Sequence, residues 1–291
     1  MQKKPKPEKK EALPHIPLKT RRQLHKKILT WYARNARDLP WRKTKDPYAI
    51  LVSEFMLQQT QVERVKPYYL AWLSQWPTIT CLSRERPANV LRAWSGLGYN
   101  ARALRLLQTA KRIVQEHNNK IPHNKEDLQR LPGIGAYTAS AILAFAYNKP
   151  EPVIDTNIRR VLIHECSLPH TISAQDLATV AKQLIPKGRS RDWHNALMDY
   201  GATVLTSKTT NIPPTTKQPS FEGSTRQARG AIIRHLLSKG AVKLSREGFE
   251  TTSKELAKQL QIAPERVAAA LESLHNDGII VFRKNQITLP D

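Results

Sequence analysis

LPGIGAYTASAILAFAYNKPEPVIDTNIRRV, residues 131–161, is the stretch whose reading decides the fold. Its Pro-Gly-x-Gly opening cannot continue a helix, and it runs into an apolar segment predicted helical from about Tyr137 to Tyr147. Thr138, Ala139, Ala141, Ile142 and Phe145 give that helix a small, close-packing surface. Gly133 and Gly135 leave backbone N–H groups uncovered at its N-terminus, where an anion such as a DNA phosphate can sit. A Pro-rich link then delivers Asp155 to the start of another helix. A phosphate grip is thus followed, some twenty residues later, by an acid.

Working outward, three- and four-residue apolar spacing predicts helices on both sides. Upstream these are Thr20–Ala36, one from Asp46-Pro47 through Leu57, Val62–Gln75, Pro87–Ser95, Ala101–His117 and Asn124–Leu131. Asp46 reads as an N-cap with Pro at the first helical position. Arg37–Arg42 reads as a turn. Downstream they are Thr156–His164, Ala174–Ile185 and Arg191–Leu205. Period-two alternation is almost absent between Arg37 and Leu205, so this region is expected to be all-α.

The ends differ in character. Residues 1–19 are rich in Lys and Pro and read as a disordered basic arm. Residues 206–220 hold five Thr and three Pro without a helical pattern, and the linker is placed at 206–224. Residues 225–291 then give a helix at Arg226–Ser238, a strand near Val242–Leu244 and a helix Lys254–Leu260 capped by Thr252. A third helix from Pro264, with Val267, Leu271 and Leu274 on one face, and a hairpin around Lys284-Asn285 complete the pattern of a small α+β winged helix. Such a module reads DNA or serves as a protein contact.

A net charge of +23 and a pI of about 10.2 imply a polyanionic partner, with nucleic acid as the default. No apolar run approaches the roughly 18 residues of a transmembrane helix, and no signal peptide opens the chain. The two cysteines, Cys81 and Cys166, cannot build a four-thiolate cluster. A reducing cytosol is the expected compartment. His164, Cys166 and His170 straddle a loop without a fourth ligand and are read as binding no metal.

Read from the residues alone, each functional candidate has a second explanation. Gly133-Ile134-Gly135 can be a simple turn, Asp155 only an N-cap, Glu54 a solvated helix residue and Tyr137 a core ring. Together, however, LVSEFMLQQTQV (51–62), GLGYNAR (96–102), LPGIGAYTA (131–139), VIDTNIRRV (153–161) and RDLPWR (37–42) resemble the adenine DNA glycosylases of the MutY family. That family lies within the helix-hairpin-helix, Gly/Pro…Asp base-excision superfamily. The resemblance implies an all-α, two-lobed helix-hairpin-helix DNA glycosylase fold over residues 20–205. Residues 46–155 are expected as a six-helix lobe, and 20–45 with 156–205 as a second. The winged-helix-like domain at 225–291 is added to it.

The resemblance also assigns roles. Adenine leaves readily only when a ring nitrogen is protonated, which calls for a carboxylic acid. Glu54 matches the family's acid, facing an inter-lobe cleft, and would later activate water. Asp155 matches the anion beside the oxocarbenium-like sugar, and its N-cap position is expected to keep it ionised. Two carboxylates in contrasting environments suit glycosidic cleavage. Gln59 and Tyr99 match residues that intercalate when the base leaves the stack. Leu57 and Thr60 match contacts around the opposite base, and Pro132, Gly133, Ile134 and Gly135 the phosphate-binding hairpin. Arg37, Leu39, Trp41 and Arg42, with Asn195 and Met198, match the base pocket. Tyr137 stands where lyase members carry Lys, so a monofunctional glycosylase is expected.

Three departures accompany the resemblance. Relatives carry four cysteines of a [4Fe–4S] cluster where this chain has Thr206–Ser220, so no cofactor and no iron-sulfur cluster are expected. The winged helix stands in place of a Nudix-like reader of 8-oxoguanine. His194-Asn195 replaces the Asn-Gln or Asn-Glu usual near the adenine. The expected partner is double-stranded DNA holding adenine opposite guanine or 8-oxoguanine, bound by a monomer in a bacterial cytosol or nucleoid, without membrane association. Thymine or uracil removal from G mismatches, and non-catalytic DNA binding, remain the alternatives.

Overall fold

A computed structural model describes residues 15–213, 220–245 and 247–290. They form two compact units, residues 15–37 with 148–213 and residues 38–147 with 220–290. The first unit joins the helices Leu18–Asn35, Thr156–Glu165, Ala174–Gln183 and Ser190–Thr203. Leu24 and Ile28 of the first pack on Ile158, Val161, Leu162, Trp193 and Leu197. The helices Thr156–Glu165 and Ser190–Thr203 approach closely at Gly201, where an added Cβ would lie 2.7 Å from the Asn157 carbonyl oxygen. Arg160 Nη2 donates across the same gap to the Gly201 carbonyl at 2.7 Å.

Two expectations about this unit are corrected. The segment read as disordered to residue 19 is ordered from Ile16, which is buried and whose N–H donates to Gln183 Oε1 at 3.1 Å. Residues 1–14 lie outside the described residues. The polar stretch after Leu205 also contains a one-turn helix, Ser207–Thr210, capped by Thr206, and it brings Ile212 into the core at 2% exposure. An isolated apolar residue in a Thr-rich run gives no periodic signal, so only tertiary burial reveals it.

The second unit holds a 3-10 turn, Pro40–Arg42, and the helices Pro47–Leu57, Val62–Gln75, Ile79–Ser83, Pro87–Trp94, Ala101–Glu116, Lys125–Gln129 and Ala136–Phe145. Asp46 caps the first of these helices, accepting from the N–H groups of Tyr48 (3.0 Å) and Ala49 (3.3 Å). The helices Pro47–Leu57 and Ala136–Phe145 are apolar nearly all round, as befits helices enclosed by others, and they pack together. Trp72, Trp94, Phe55, Leu91 and Leu106 fill the core.

In the same unit, helices Thr225–Lys239, Phe249–Leu260 and Pro264–Asn276 pack with a three-stranded antiparallel sheet. Its strand order is Val242–Lys243, Gln286–Thr288, Val281–Arg283, in register Val242↔Ile287↔Phe282. This is the winged-helix order of elements. Thr252 is not a cap, however: Phe249–Leu260 starts at Gly248, and Thr252 lies inside it, donating to the Gly248 carbonyl at 3.0 Å. Among the described residues, no helix is long and apolar enough to cross a membrane.

Candidate active site

The hairpin at 131–135 is built for exposure of its backbone. Leu131 and Ile134 are buried anchors, joined by an Ile134 N–H to Leu131 carbonyl bond of 3.2 Å. Gly133 has φ +77°, and a Cβ there would meet Arg105 and Phe55 at 3.0 Å, so glycine is required. Thr109 Oγ1 ties the Pro132 carbonyl down at 2.6 Å. Gly135 occupies the cap position of Ala136–Phe145, leaving that helix without a side-chain cap. Gly133, Gly135, Ala136 and Tyr137 are all exposed. An anion can therefore reach an uncapped helix N-terminus here. Tyr137, 38% exposed, is not a core ring.

A second element joins two loops. Gln59 and Tyr99 both adopt left-handed backbone, with φ of +55° and +47°. Such residues cost about 1–3 kcal/mol each and persist where neighbours over-determine them. The determining neighbour is Arg102, which is 5% exposed. Its Nη1 donates to the carbonyls of Phe55 (2.9 Å), Met56 (3.0 Å) and Gln58 (2.5 Å). Its Nη2 donates to Thr60 Oγ1 (3.0 Å) and the Gly98 carbonyl (2.9 Å). Apart from the Thr60 hydroxyl, these are carbonyls at the end of the Pro47–Leu57 helix, which have no donor within the helix, and one in the Gly96–Tyr99 turn. Burial draws the Arg102 pKa down to about 10, so the guanidinium remains charged at neutral pH. Sequence reasoning assigned Arg102 no role. Its position inside GLGYNAR was the available signal.

Glu54 lies on Pro47–Leu57 and is 7% exposed, which removes the reading of a solvated helix residue. On the neighbouring turn Leu39 is buried at 3% exposure, and Trp41 meets Tyr69 edge-on with ring centroids 5.5 Å apart. Leu57 and Thr60 are half-buried, and Arg42 is half-exposed.

In the first unit, Asp155 is the N-cap of Thr156–Glu165, accepting from the Ile158 N–H at 2.7 Å and from Asn157 Nδ2 at 3.2 Å. Burial of the carboxyl, the largest influence on its pKa, raises it above the ordinary value, the opposite direction to the one a cap alone gives. The Ile158 and Asn157 donors and the charge of Arg160 pull it down without reversing that direction. Sequence showed the cap but not the packing around it.

The segment leading to Asp155 is held by His194, which is 1% exposed. Its Nε2 accepts from the Val153 N–H at 3.2 Å, and its Nδ1 donates to the Ser190 carbonyl at 2.7 Å. Those partners require the neutral ring, and burial lowers its pKa to about 4. His194 thus clamps backbone. On the same helix Asn195 is buried, Met198 is half-buried, and Asp199 receives both the backbone N–H (3.0 Å) and the guanidinium of Arg37. Among the described residues no group of three or more His, Cys, Asp or Glu side chains is arranged to hold a metal ion.

An anion-receptive hairpin followed by a capping aspartate is the element of a helix-hairpin-helix base-excision protein, and residues 52–187 match the HhH-GPD superfamily base excision DNA repair protein. The chain is 46% identical over 185 residues to the adenine DNA glycosylase of Mycolicibacterium smegmatis, covering 62% of this chain and 63% of that one. It is 39% identical over 232 residues to the adenine DNA glycosylase of Mycobacterium tuberculosis, covering 71% and 76%. Its fold is similar to that of a thermostable thymine-DNA glycosylase, with a TM-score of 0.61, 28% identity and 66% and 90% coverage. The chain belongs to the adenine DNA glycosylase (MutY) family of base-excision DNA repair enzymes.

Proposed function

We propose that the protein removes adenine paired with guanine or 8-oxoguanine from double-stranded DNA, by hydrolysis of the N-glycosidic bond. Glu54 protonates a ring nitrogen of the adenine, and the bond to C1′ breaks with its electron pair leaving on the base. Asp155, as carboxylate, stabilises the oxocarbenium-like sugar. Water then adds to C1′, giving its proton to the Glu54 carboxylate. Gln59 and Tyr99 enter the stack as the base leaves it, and the hairpin Pro132–Gly135 grips a phosphate. The base pocket draws on Arg37, Leu39, Trp41, Arg42, Asn195 and Met198. Tyr137 offers no amine for a Schiff base, so the strand is left unbroken.

The observation that carries this reading is the setting of Asp155, a helix cap ringed by Asn157, Ile158 and Arg160 in a member of the adenine DNA glycosylase family. The iron-sulfur cluster usual in the family does not fit here. Residues 206–220 contain no cysteine, and Thr206, Ser207–Thr210 and Ile212 hold the described part of that segment. The protein is proposed to act as a monomer without a cofactor, in a bacterial cytosol or nucleoid.

The likeness to a thymine-DNA glycosylase keeps thymine on the test panel. Base release is measured under single turnover from A:8-oxoguanine, A:G, A:T and T:G duplexes, with alkali to cleave abasic sites. Adenine release from the first two, with strands intact before alkali, supports the reading. Release of thymine alone overturns it.

A further inference from the structure

Two guanidinium groups lie over the Tyr99 ring: Arg102 at 5.5 Å from its centroid and Arg226 at 5.6 Å. Arg226 comes from the winged-helix domain, and its Nη1 also donates to the Tyr99 hydroxyl at 2.9 Å. It is the second residue of Thr225–Lys239, whose first turn is capped by Ser224. Arg229, one turn further on, serves its own domain through Ser273 and Asp277. Arg226 instead spans 127 positions of sequence to reach the Gly96–Tyr99 turn.

We propose that Arg226 is a positioning residue for Tyr99, and that through it the winged-helix domain sets the wedge that meets the mismatched pair. The inference rests on the reading of Tyr99 as an intercalating ring. Tyr99 has a left-handed backbone, so its ring direction is set by what surrounds it rather than by a regular element. Arg102 fixes the backbone beneath it, donating from Nε to the Tyr99 carbonyl at 3.3 Å. Arg226 fixes the far end, at the hydroxyl. A ring held before it meets DNA loses less freedom on insertion, which raises affinity for any duplex whose stack must be opened. Duplexes that are not opened gain nothing from it.

The test is a double-mutant cycle in the full-length Glu54→Gln protein, with binding and 2-aminopurine fluorescence read on A:G and A:T duplexes. Arg226→Ala is expected to weaken A:G binding about three- to tenfold, in the range of a cation–π contact with its hydrogen bond. A:T binding should barely change, and the flipping signal should fall. Arg226→Lys should recover part of the loss, and in a Tyr99→Leu background Arg226→Ala should have no further effect. Equal losses on both duplexes that persist in Tyr99→Leu would make Arg226 a phosphate contact and overturn the proposal. Unchanged binding by Arg226→Ala overturns it as well. If Tyr99→Leu itself leaves the A:G preference intact, the wedge reading falls too, and the two failures are told apart. Arg226 is half-exposed, and matching melting curves establish that the variants fold.

Discussion

Replacing Arg102 by Met removes the guanidinium while keeping most of the apolar stem. Five oxygens, of Phe55, Met56, Gln58, Thr60 and Gly98, then lose a donor at 3.0 Å or less. All are neutral, so no partner carboxylate is left as an unpaired charge. A hydrogen bond from a charged group is worth about 1.5–3 kcal/mol, but five to one guanidinium do not add, and desolvating that group has its own cost. Buried neutral acceptors left without a donor cost about 1–3 kcal/mol each and do not add fully, so about 3–5 kcal/mol in all is expected. At about 2–4 °C per kcal/mol for a domain of this size, the melting temperature should fall by about 6–20 °C. The assay is thermal and urea unfolding of Arg102→Met and Arg102→Lys. Lys retains the charge but cannot span both loops, so it should fall between parent and Met. A Met variant melting within about 2 °C of the parent would refute the hub role of Arg102.

Further expectations concern the Asp155 segment. His194 is held below its ordinary 6.5, at about 4, so the stability it contributes is full above pH 6.5 and is lost as pH falls toward 4. That loss is about 2 kcal/mol between pH 7 and 5, and His194→Asn should flatten it in urea titrations. A variant with the same pH slope as the parent would contradict the clamp. Asp155 runs the other way, since burial raises its pKa, and under the proposed mechanism it must ionise to assist. Asn157→Ala removes one of its donors, should move the acid limb of the rate profile upward, and should slow release more at the acid end of the profile than at the alkaline end. Gly201→Ala sets a methyl 2.7 Å from the Asn157 carbonyl oxygen and should cost about 1–3 kcal/mol, read as a lower urea midpoint.

Much of the fold was legible because these helices carry their own signals. Asp46-Pro47 and Asp155 cap the helices that their residue types announce. Four- and three-residue spacing located the buried Val267, Leu271 and Leu274, and alternation the hairpin after them. What was missed depends on contacts distant in sequence. Arg102 in a helix reads as a solvated charge until carbonyls 44 to 47 positions away and the Thr60 hydroxyl, 42 away, surround it. Ile16, between prolines, and Ile212, in a Thr-rich run, carry no periodic signal and become core only within the unit that holds Thr156–Glu165. The raised pKa of Asp155 reverses what a cap alone implies, because desolvation outweighs the helix N–H groups. His194, beside Asn195 in the stretch that resembles the family's adenine-contacting pair, looked like a base contact, whereas its ring holds Val153.

The most direct measurement is single-turnover adenine release from an A:G duplex by the parent and by Asp155→Asn, with Glu54→Gln alongside. The account predicts release by the parent and a loss of about 10²-fold or more in Asp155→Asn, the size expected when charge stabilisation at the transition state is removed. Glu54→Gln should be comparably impaired. Release at the parental rate by Asp155→Asn, or tight binding without release by the parent, would contradict it.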